Sequence, residues 1–502
     1  MAFLQKQVPC INQRPYKIRG GQLKIILSNR IKIEQPDQLL KDILVEQLKH
    51  KNPKFVEAER MGKSTYKIPE FIMNFEFDAS DDMYIPRGMR ASLFATLNSL
   101  SIDYGILDKR TLRHDMPYVD SSKVKYRPYQ YPAIQKLLEA PEGILVAPPG
   151  SGKTVMGLSL VPILLQPTLW ITHTDRLLKQ THERCRHLLS IDGDEIGVIG
   201  GGRWDIGKAI TIGMVQTLVR NQEKLDELTN TFGMIIVDEC HHVPATTFSS
   251  VIANLNSYFL YGLTATAYRR DDLESLMFQN IGSVTSTISK KEVSKHGGIV
   301  SPKIVYSPLR SERIDERDPA LIFKNHIIYN SNRNIRIKDD VVREATAGNF
   351  CIVASGRRIH CDILYEMIKK EWEGTGIATG KYSKKAIDEQ IEAFDSNKIT
   401  VLVTTPDLLG EGFDVDFLNR LFITTSFRTE SRAEQLIGRL QRSHPNKKDA
   451  VVYDYVDEDI GVFANQFFSK FGKCRNNVYK KLGLSIVSYN DYMESARKDF
   501  YE

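Results

Sequence analysis

No stretch of about 18 consecutive apolar residues occurs in the chain, so the sequence offers no membrane span. The richest apolar run, Val161 to Trp170, is short and is broken by Pro162, Gln166 and Pro167. The N-terminus lacks the apolar core and small-residue cleavage site of a secretory signal, so the protein is expected to stay in the compartment where it is made. Cysteine is scarce: Cys10, Cys185, Cys240, Cys351, Cys361 and Cys474 are scattered, without a C-x-x-C pair. That spacing argues against a zinc site, and the six read as reduced thiols of a cytosolic protein. The 32 glycines and 20 prolines follow no period, which excludes collagen-like designs. Neither a short repeat nor a low-complexity tract appears. Acid is missing from one place: residues 1–33 hold seven basic residues (Lys6, Arg14, Lys17, Arg19, Lys24, Arg30, Lys32) and no Asp or Glu. Such a basic arm suits a polyanion; a solvated basic edge is the plainer alternative.

What is present is an ordinary globular balance, 42% hydrophobic and 26% charged, with a net charge of only +6 over 502 residues. The length corresponds to about three domains. Residues 1–115 mix strand-like runs (Leu23–Leu27, Phe71–Phe77) with helical ones (Gln38–His50, Arg87–Leu100), predicting a small α+β domain. Over 121–285 short apolar runs alternate with amphipathic helices: Ile144–Ala147, Thr168–Thr172, Ala209–Gly213, Met234–Val237 and Phe259–Leu263. This alternation predicts a parallel sheet covered on both faces. Residues 286–330 read as a linker, with a possible strand at Ile304–Tyr306. Alternation resumes over 331–462 at Phe350–Ala354, Thr400–Thr404, Arg420–Thr424 and Ala450–Tyr455, and 463–502 form a tail. The fold class is therefore α/β: two tandem parallel-sheet domains behind a small N-terminal α+β domain.

Ala147-Pro-Pro-Gly-Ser-Gly-Lys-Thr154 follows an apolar strand and opens a helix. Gly150 and Gly152 let the backbone curl so that amides point inward, with Pro149 and Ser151 completing the loop. Inward amides backed by a helix N-terminus receive phosphates. Lys153 is placed to reach the outer phosphates of ATP, and the Thr154 hydroxyl to ligate Mg²⁺. Ala147 stands where this pattern usually has its first glycine. A glycine-rich turn without a ligand is the alternative; strand, loop, Lys-Thr pair and helix in this order argue against it. Met234-Ile-Ile-Val-Asp-Glu-Cys-His241 is an apolar strand ending in two adjacent carboxylates. Asp238 at its tip suits Mg²⁺ held through water, and Glu239 suits taking the proton of an attacking water. His241 and His242 lack the further His or Cys of a metal site and read as links from this strand end to its surroundings.

Asp238-Glu239-Cys240-His241 resembles the second motif of the superfamily 2 helicases and translocases, the DEAD/DEAH group. That resemblance implies two RecA-like domains with ATP between them. Arg127-Pro-Tyr-Gln130 resembles the adenine-reading motif, with Gln130 as the base contact. Gly262-Leu-Thr-Ala-Thr-Ala267 resembles the third motif, in which Thr264 and Thr266, with His241, couple hydrolysis to domain movement; Ala267 replaces the proline of many relatives. Thr404-Thr405-Pro-Asp-Leu-Leu-Gly-Glu-Gly412-Phe-Asp414 resembles the fifth motif, which brings Gly412 and Asp414 near the nucleotide and Thr405 near a nucleic-acid backbone. Gln435-Leu-Ile-Gly438-Arg439-Leu-Gln-Arg442 resembles the sixth. Arg439 and Arg442 lie three apart and share a helix face. The resemblance aims them, with Gln435, at the γ-phosphate, where an arginine stabilises the spread charge of the transition state.

Thr172-His-Thr174-Asp-Arg176 with Gln180, Gly213-Met-Val-Gln216-Thr217, and Ser355-Gly-Arg357 resemble the family's nucleic-acid contacts. Hydroxyls, amides and helix N-termini grip phosphates without reading bases; each of these residues is equally compatible with an ordinary helix cap. In the tail, Phe467 to Lys481 interleaves aromatic and basic residues, suiting either base stacking or a helix packed on the second domain. Tyr84-Ile-Pro-Arg-Gly-Met-Arg90 resembles accessory domains of phage recombination helicases of the UvsW type, and the motor is similar to the group containing UvsW and the XPB repair helicase. The resemblance implies an ATP- and Mg²⁺-dependent DNA helicase or translocase. It would unwind or branch-migrate forked, junction or displacement-loop DNA, touching single and double strands, as a monomer in the cytoplasm of a phage-infected host. An RNA helicase and a double-strand translocase without strand separation remain alternatives. A sensor without turnover is disfavoured because Lys153, Glu239 and Arg442 are all present.

Overall fold

Apolar residues alternate from Leu23, and strand β1 (Leu23–Leu27) of the computed structural model buries Ile25 and Leu27 on one side. The structure describes residues 22–241, 250–265, 274–296, 300–309, 318–410, 415, 417–425, 436–441, 447, 449–457, 479–480 and 482–501. After β1 come β2 (Arg30–Ile33), β3 (Lys49–Lys51), β4 (Phe71–Met73), β5 (Glu76–Phe77), β6 (Met83–Pro86) and β7 (Tyr104–Asp108). Five of them form a sheet in the order β5-β6-β2-β1-β7, with β1 and β7 parallel. Helices Gln38–Leu48 and Arg90–Ser99 bury Leu40, Leu44, Leu48, Leu93 and Leu97 against Ile25, Ile31, Ile33, Met83 and Ile85. The run Phe71–Phe77, read from the sequence as one strand, is split: β4 pairs with β3 in its own ribbon and β5 pairs with β6.

The basic arm needs correction. Lys6, Arg14, Lys17 and Arg19 lie outside the described residues, but Lys24, Arg30 and Lys32 belong to β1 and β2. Each meets acid that arrives later in the chain: Lys24 with Glu34 at 2.6 Å, Arg30 with Glu76 at 2.7 Å, Lys32 with Asp82 at 2.8 Å. Strand pairing recruits these carboxylates from outside the acid-free segment, which a linear charge count misses.

The second sheet is built from β8 (Glu142–Val146), β9 (Thr168–Thr172), β10 (Ile196–Gly200), β11 (Arg203–Trp204), β12 (Ile210–Met214), β13 (Met234–Asp238), β14 (Phe259–Thr264) and β15 (Val284–Thr287). Their order is β11-β10-β12-β9-β13-β14-β8-β15, and β11 alone of these runs antiparallel to its neighbour. Helix Lys153–Leu164 is apolar nearly all round and buried accordingly.

The N-terminal sheet and this one belong to a single unit, residues 1–293. Arg87 is buried between them and donates to the carbonyls of Ser257 (2.7 Å) and Tyr258 (3.0 Å). Burial lowers its pKa to about 10. Glu142, the first residue of β8, pairs with both Arg90 and Arg110, and Arg110 lies over the Tyr258 ring.

The other unit spans residues 294–502. Its sheet comprises β16 (Lys303–Leu309), β17 (Cys351–Ala354), β18 (Thr375–Ala378), β19 (Val401–Thr404), β20 (Arg420–Ile423), β21 (Val451–Asp457) and β22 (Ile486–Ser488), ordered β18-β19-β17-β20-β21-β16-β22 and parallel throughout. The expected linker 286–330 is thus partly sheet: β15 ends the first unit's sheet and β16 pairs with β21 along its whole length. The strand expected at Ile304–Tyr306 is present and longer, with Ile304 buried on one face and Val305 and Ser307 on the other. Phe467 to Arg475 lie outside the described residues, whereas β22 and helix Tyr489–Tyr501 close the second unit. Tyr489 donates to Asp340 at 2.6 Å, which ties that helix to helix Ser331–Thr346. Among the described residues, no helix is long and apolar enough to cross a membrane.

Candidate active site

Three adjacent strands, β8, β14 and β13, present their carboxyl ends together. The loop after β8 is held from beneath. Ala147 N–H donates to Thr264 O at 2.9 Å, and Lys153 Nζ donates to Ala147 O at 3.1 Å. Ala147 has no positive φ, so its Cβ carries no backbone penalty where the pattern usually has glycine. Gly150 (φ +77°) and Gly152 (φ +83°) take the left-handed turn. Gly152 caps helix Lys153–Leu164 without a side-chain hydrogen bond, which leaves the first helical amides uncapped by a side chain. The Ser151 hydroxyl is buried without a hydrogen-bond partner.

Arg127 and Gln130 clasp this loop. Arg127 Nη1 donates to Gly150 O at 3.0 Å, and Gln130 Nε2 donates to Ser151 O at 2.8 Å while its Oε1 accepts from Arg127 N at 2.8 Å. Gln130 is buried, with its amide bonded to the loop at one end and to backbone at the other. Tyr129, which sequence reasoning passed over, adds a bond from its hydroxyl to Ser151 O at 3.2 Å.

Across from the loop, Asp238 ends β13 almost fully buried. Burial first, and then Glu239, push its carboxyl above the usual carboxylate range; Lys153 and Arg184 pull it back. Glu239 sits at φ +47°, an uncommon turn for a residue with a Cβ, and lies 3.4 Å from Lys153 Nζ. His241 Nδ1 is 2.8 Å from Thr264 Oγ1 and 3.4 Å from Glu239 Oε2. Thr154 Oγ1 accepts from Arg184 Nη1 at 2.9 Å. A helix start uncapped by any side chain, an orphaned hydroxyl, one ammonium and a buried carboxylate are a set that fits a polyphosphate with Mg²⁺. Arg184 was not legible in the sequence: nothing in an amphipathic helix marks one arginine out of several.

The same sheet edge continues to β9 and β12, where the expected nucleic-acid contacts gather. Gln216 Nε2 donates to His173 O at 2.9 Å, joining the loops after the two strands. Thr174 caps helix Asp175–Leu189 by accepting from Leu177 N, so its hydroxyl already has the helix-cap role. Arg176 and Thr217 are half-buried beside them. In the second unit, Ser355 and Thr405 follow neighbouring strands β17 and β19. Ser355 is fully buried, 3.0 Å from His360 Nδ1 and accepting from Arg357 N at 3.3 Å. That burial contradicts a direct contact by its side chain; it supports the turn that carries Arg357, whose guanidinium lies over the Phe323 ring. Arg439 is half-buried on a short helical stretch. Thr266, Gly412, Asp414, Gln435 and Arg442 lie outside the described residues.

The family model described as type III restriction enzyme, res subunit, matches residues 123–269, and the helicase conserved C-terminal domain matches 334–444. The DNA 3'-5' translocase XPB2 of Sulfurisphaera tokodaii is 35% identical over 369 residues, 66% of this chain and 82% of that protein. "Probable helicase D10" of Escherichia phage T5 is 25% identical over 472 residues, 92% and 96% of the two chains. Among solved structures, S. cerevisiae Dbp5 bound to RNA and ADP BeF3 aligns with a TM-score of 0.52 at 15% identity, over 74% of this chain and 92% of that one, a likeness of fold.

Proposed function

The chain belongs to the superfamily 2 helicases, in the group that holds the XPB and UvsW enzymes, and from that membership we propose that it remodels forked, junction or displacement-loop DNA. It is a nucleic-acid-dependent ATPase of the helicase type. The observation that carries the finer reading is the shared carboxyl edge of the first unit's sheet. The phosphate loop, Asp238, Glu239 and Thr264 occupy one side of it, and Thr174, Arg176, Gln216 and Thr217 the other.

In this reading the amides of 150–154 and Lys153 bind the phosphates of ATP, with Pro149 and Ser151 shaping the loop. Thr154, and Asp238 through water, would hold Mg²⁺, which when bound would neutralise phosphate charge and orient the terminal phosphoryl group. Glu239 accepts the proton of the attacking water. Arg439 and Arg442 supply the positive charge that stabilises the transition state and Gln435 a neutral amide donor, with Gly412 and Asp414 near the nucleotide. His241, Thr264 and Thr266 pass the state of that site to the edge that grips the backbone. Thr405 and Arg357 grip it from the second unit. Repeated tightening and release turn hydrolysis into movement.

DNA is favoured over RNA because the relative at 35% identity is named a DNA translocase. The N-terminal domain, joined to β8 through Glu142, holds duplex next to the motor. Because β1 and β2 are central strands of that domain, its basic segment is tested by removing residues 1–21, not 1–33. The deciding experiment measures phosphate release and strand separation on a fork, a four-way junction, a displacement loop, a linear duplex and matched RNAs. Branched DNA is expected to stimulate both most strongly. Greater stimulation by RNA, or no preference for branches, would sink this reading.

A further inference from the structure

Arg184 lies outside every motif discussed above. It projects from helix Asp175–Leu189 onto the first turn of helix Lys153–Leu164, where its Nη1 donates to the Thr154 hydroxyl at 2.9 Å. On the same loop, Lys153 Nζ lies 3.4 Å from Glu239 Oε1.

We propose that Arg184 is a placeholder cation: its guanidinium holds the Thr154 hydroxyl that Mg²⁺ requires, and the metal must displace it. The inference rests on reading this loop as a nucleotide site. A guanidinium has donors and no acceptor, so it takes one of the two lone pairs of the Thr154 oxygen and crowds the approach to the other. A divalent ion brought to that oxygen would also stand beside a fixed positive charge, and such repulsion is strong where water is scarce. Arginine suits the task because it does not deprotonate and its donors sit in a rigid planar fork. Arg184 is accordingly a positioning residue. It opposes metal entry until a nucleotide supplies enough negative charge to outweigh it, which links Mg²⁺ binding to nucleotide binding.

The test uses the full chain, a fluorescent ADP analogue and an Mg²⁺ titration, comparing wild type with Arg184→Gln and Arg184→Lys. Arg184→Gln is expected to reach half-maximal nucleotide binding at about tenfold lower Mg²⁺, the low end of what a hydrogen bond to a charged group contributes. Arg184→Lys, which keeps the charge and loses the fork, falls between. Without nucleotide, Arg184→Gln melts at lower temperature than wild type, and saturating Mg²⁺ with ADP closes that gap. An unchanged or higher Mg²⁺ requirement in Arg184→Gln overturns the proposal, since the arginine then supports the loaded site. If wild type binds no nucleotide at any Mg²⁺ concentration, the reading of the loop itself has failed, a separate and visible result.

Discussion

Nδ1 of His241 stands 2.8 Å from Oγ1 of Thr264 and 3.4 Å from Oε2 of Glu239, so one imidazole bridges the tip of β14 and the carboxylate beyond β13. In the proposed cycle this imidazole passes a shift of Glu239 to Thr264, whose carbonyl also holds Ala147. Thr264→Ala removes the hydroxyl and leaves that backbone bond. DNA-stimulated phosphate release is expected to stay within a few-fold of wild type, while strand separation on the same substrate falls by an order of magnitude or more. Equal losses in both assays would show that Thr264 serves hydrolysis and not its coupling to movement.

Glu239→Gln keeps the side chain's size and removes its basicity. General-base catalysis contributes roughly 10²–10⁴ in rate, so the variant should bind ATP and DNA as wild type does while releasing phosphate slower by about that factor. Nucleotide binding, DNA binding and phosphate release measured on one preparation check this. Undiminished turnover would remove Glu239 from the role of base.

Much of this architecture was legible in the sequence because its signals are local. The apolar runs at Thr168–Thr172 and Phe259–Leu263 became buried parallel strands, and the Gly-Ser-Gly-Lys-Thr stretch became a loop with two left-handed glycines. What the sequence hid depends on residues far apart meeting. Arg184 bonds Thr154 across 30 positions, Arg87 reaches Ser257 across 170, and Lys24 finds Glu34 only once β1 and β2 pair. Gln130 and Ser355 carried motif identities that implied open side chains, yet tertiary packing buries both and gives them local partners. A motif reports which residue types gather; it does not report which polar atoms are already engaged.

The union of the N-terminal domain with the first motor sheet depends on a backbone approach that only glycine allows. A Cβ on Gly88 would lie 2.5 Å from Gly282 N and 2.6 Å from Gln279 O, both main-chain atoms with little freedom to retreat. Gly88→Ala should destabilise the first unit by about 1–3 kcal/mol, the usual cost of overpacking. It should also expose the segment around Arg87 to limited proteolysis. Thermal unfolding and protease mapping with and without nucleotide measure this; a variant with the wild-type melting temperature and digestion pattern would mean that the two sheets are not locked together there.

His360 gives the second unit a pH dependence of definite sign. Its ring is buried, with Nδ1 3.0 Å from Ser355 Oγ and Nε2 2.9 Å from Asn334 Oδ1. The carbonyl-type oxygen of Asn334 can only accept, so Nε2 carries a proton, and in the neutral ring Nδ1 accepts from Ser355. Burial, with Arg333 adding repulsion, lowers its pKa from 6.5 to about 3. Above pH 6.5 the ring is neutral in both folded and unfolded chains and contributes no pH dependence. As the pH falls from 6.5 toward 3 the unfolded chain takes up a proton that the folded one refuses, so stability declines by about 1.4 kcal/mol per pH unit. Between pH 7 and pH 5 the loss from this group is about 2 kcal/mol. His360→Gln should be less stable than wild type at pH 7, because it cannot serve both Ser355 and Asn334 in the same geometry, and should lose less on acidification. The gap between the two proteins is therefore expected to narrow from pH 7 to pH 5 in urea unfolding followed by a probe in the second unit. A gap that stayed constant would mean that His360 takes up its proton in the folded protein as readily as in the unfolded one.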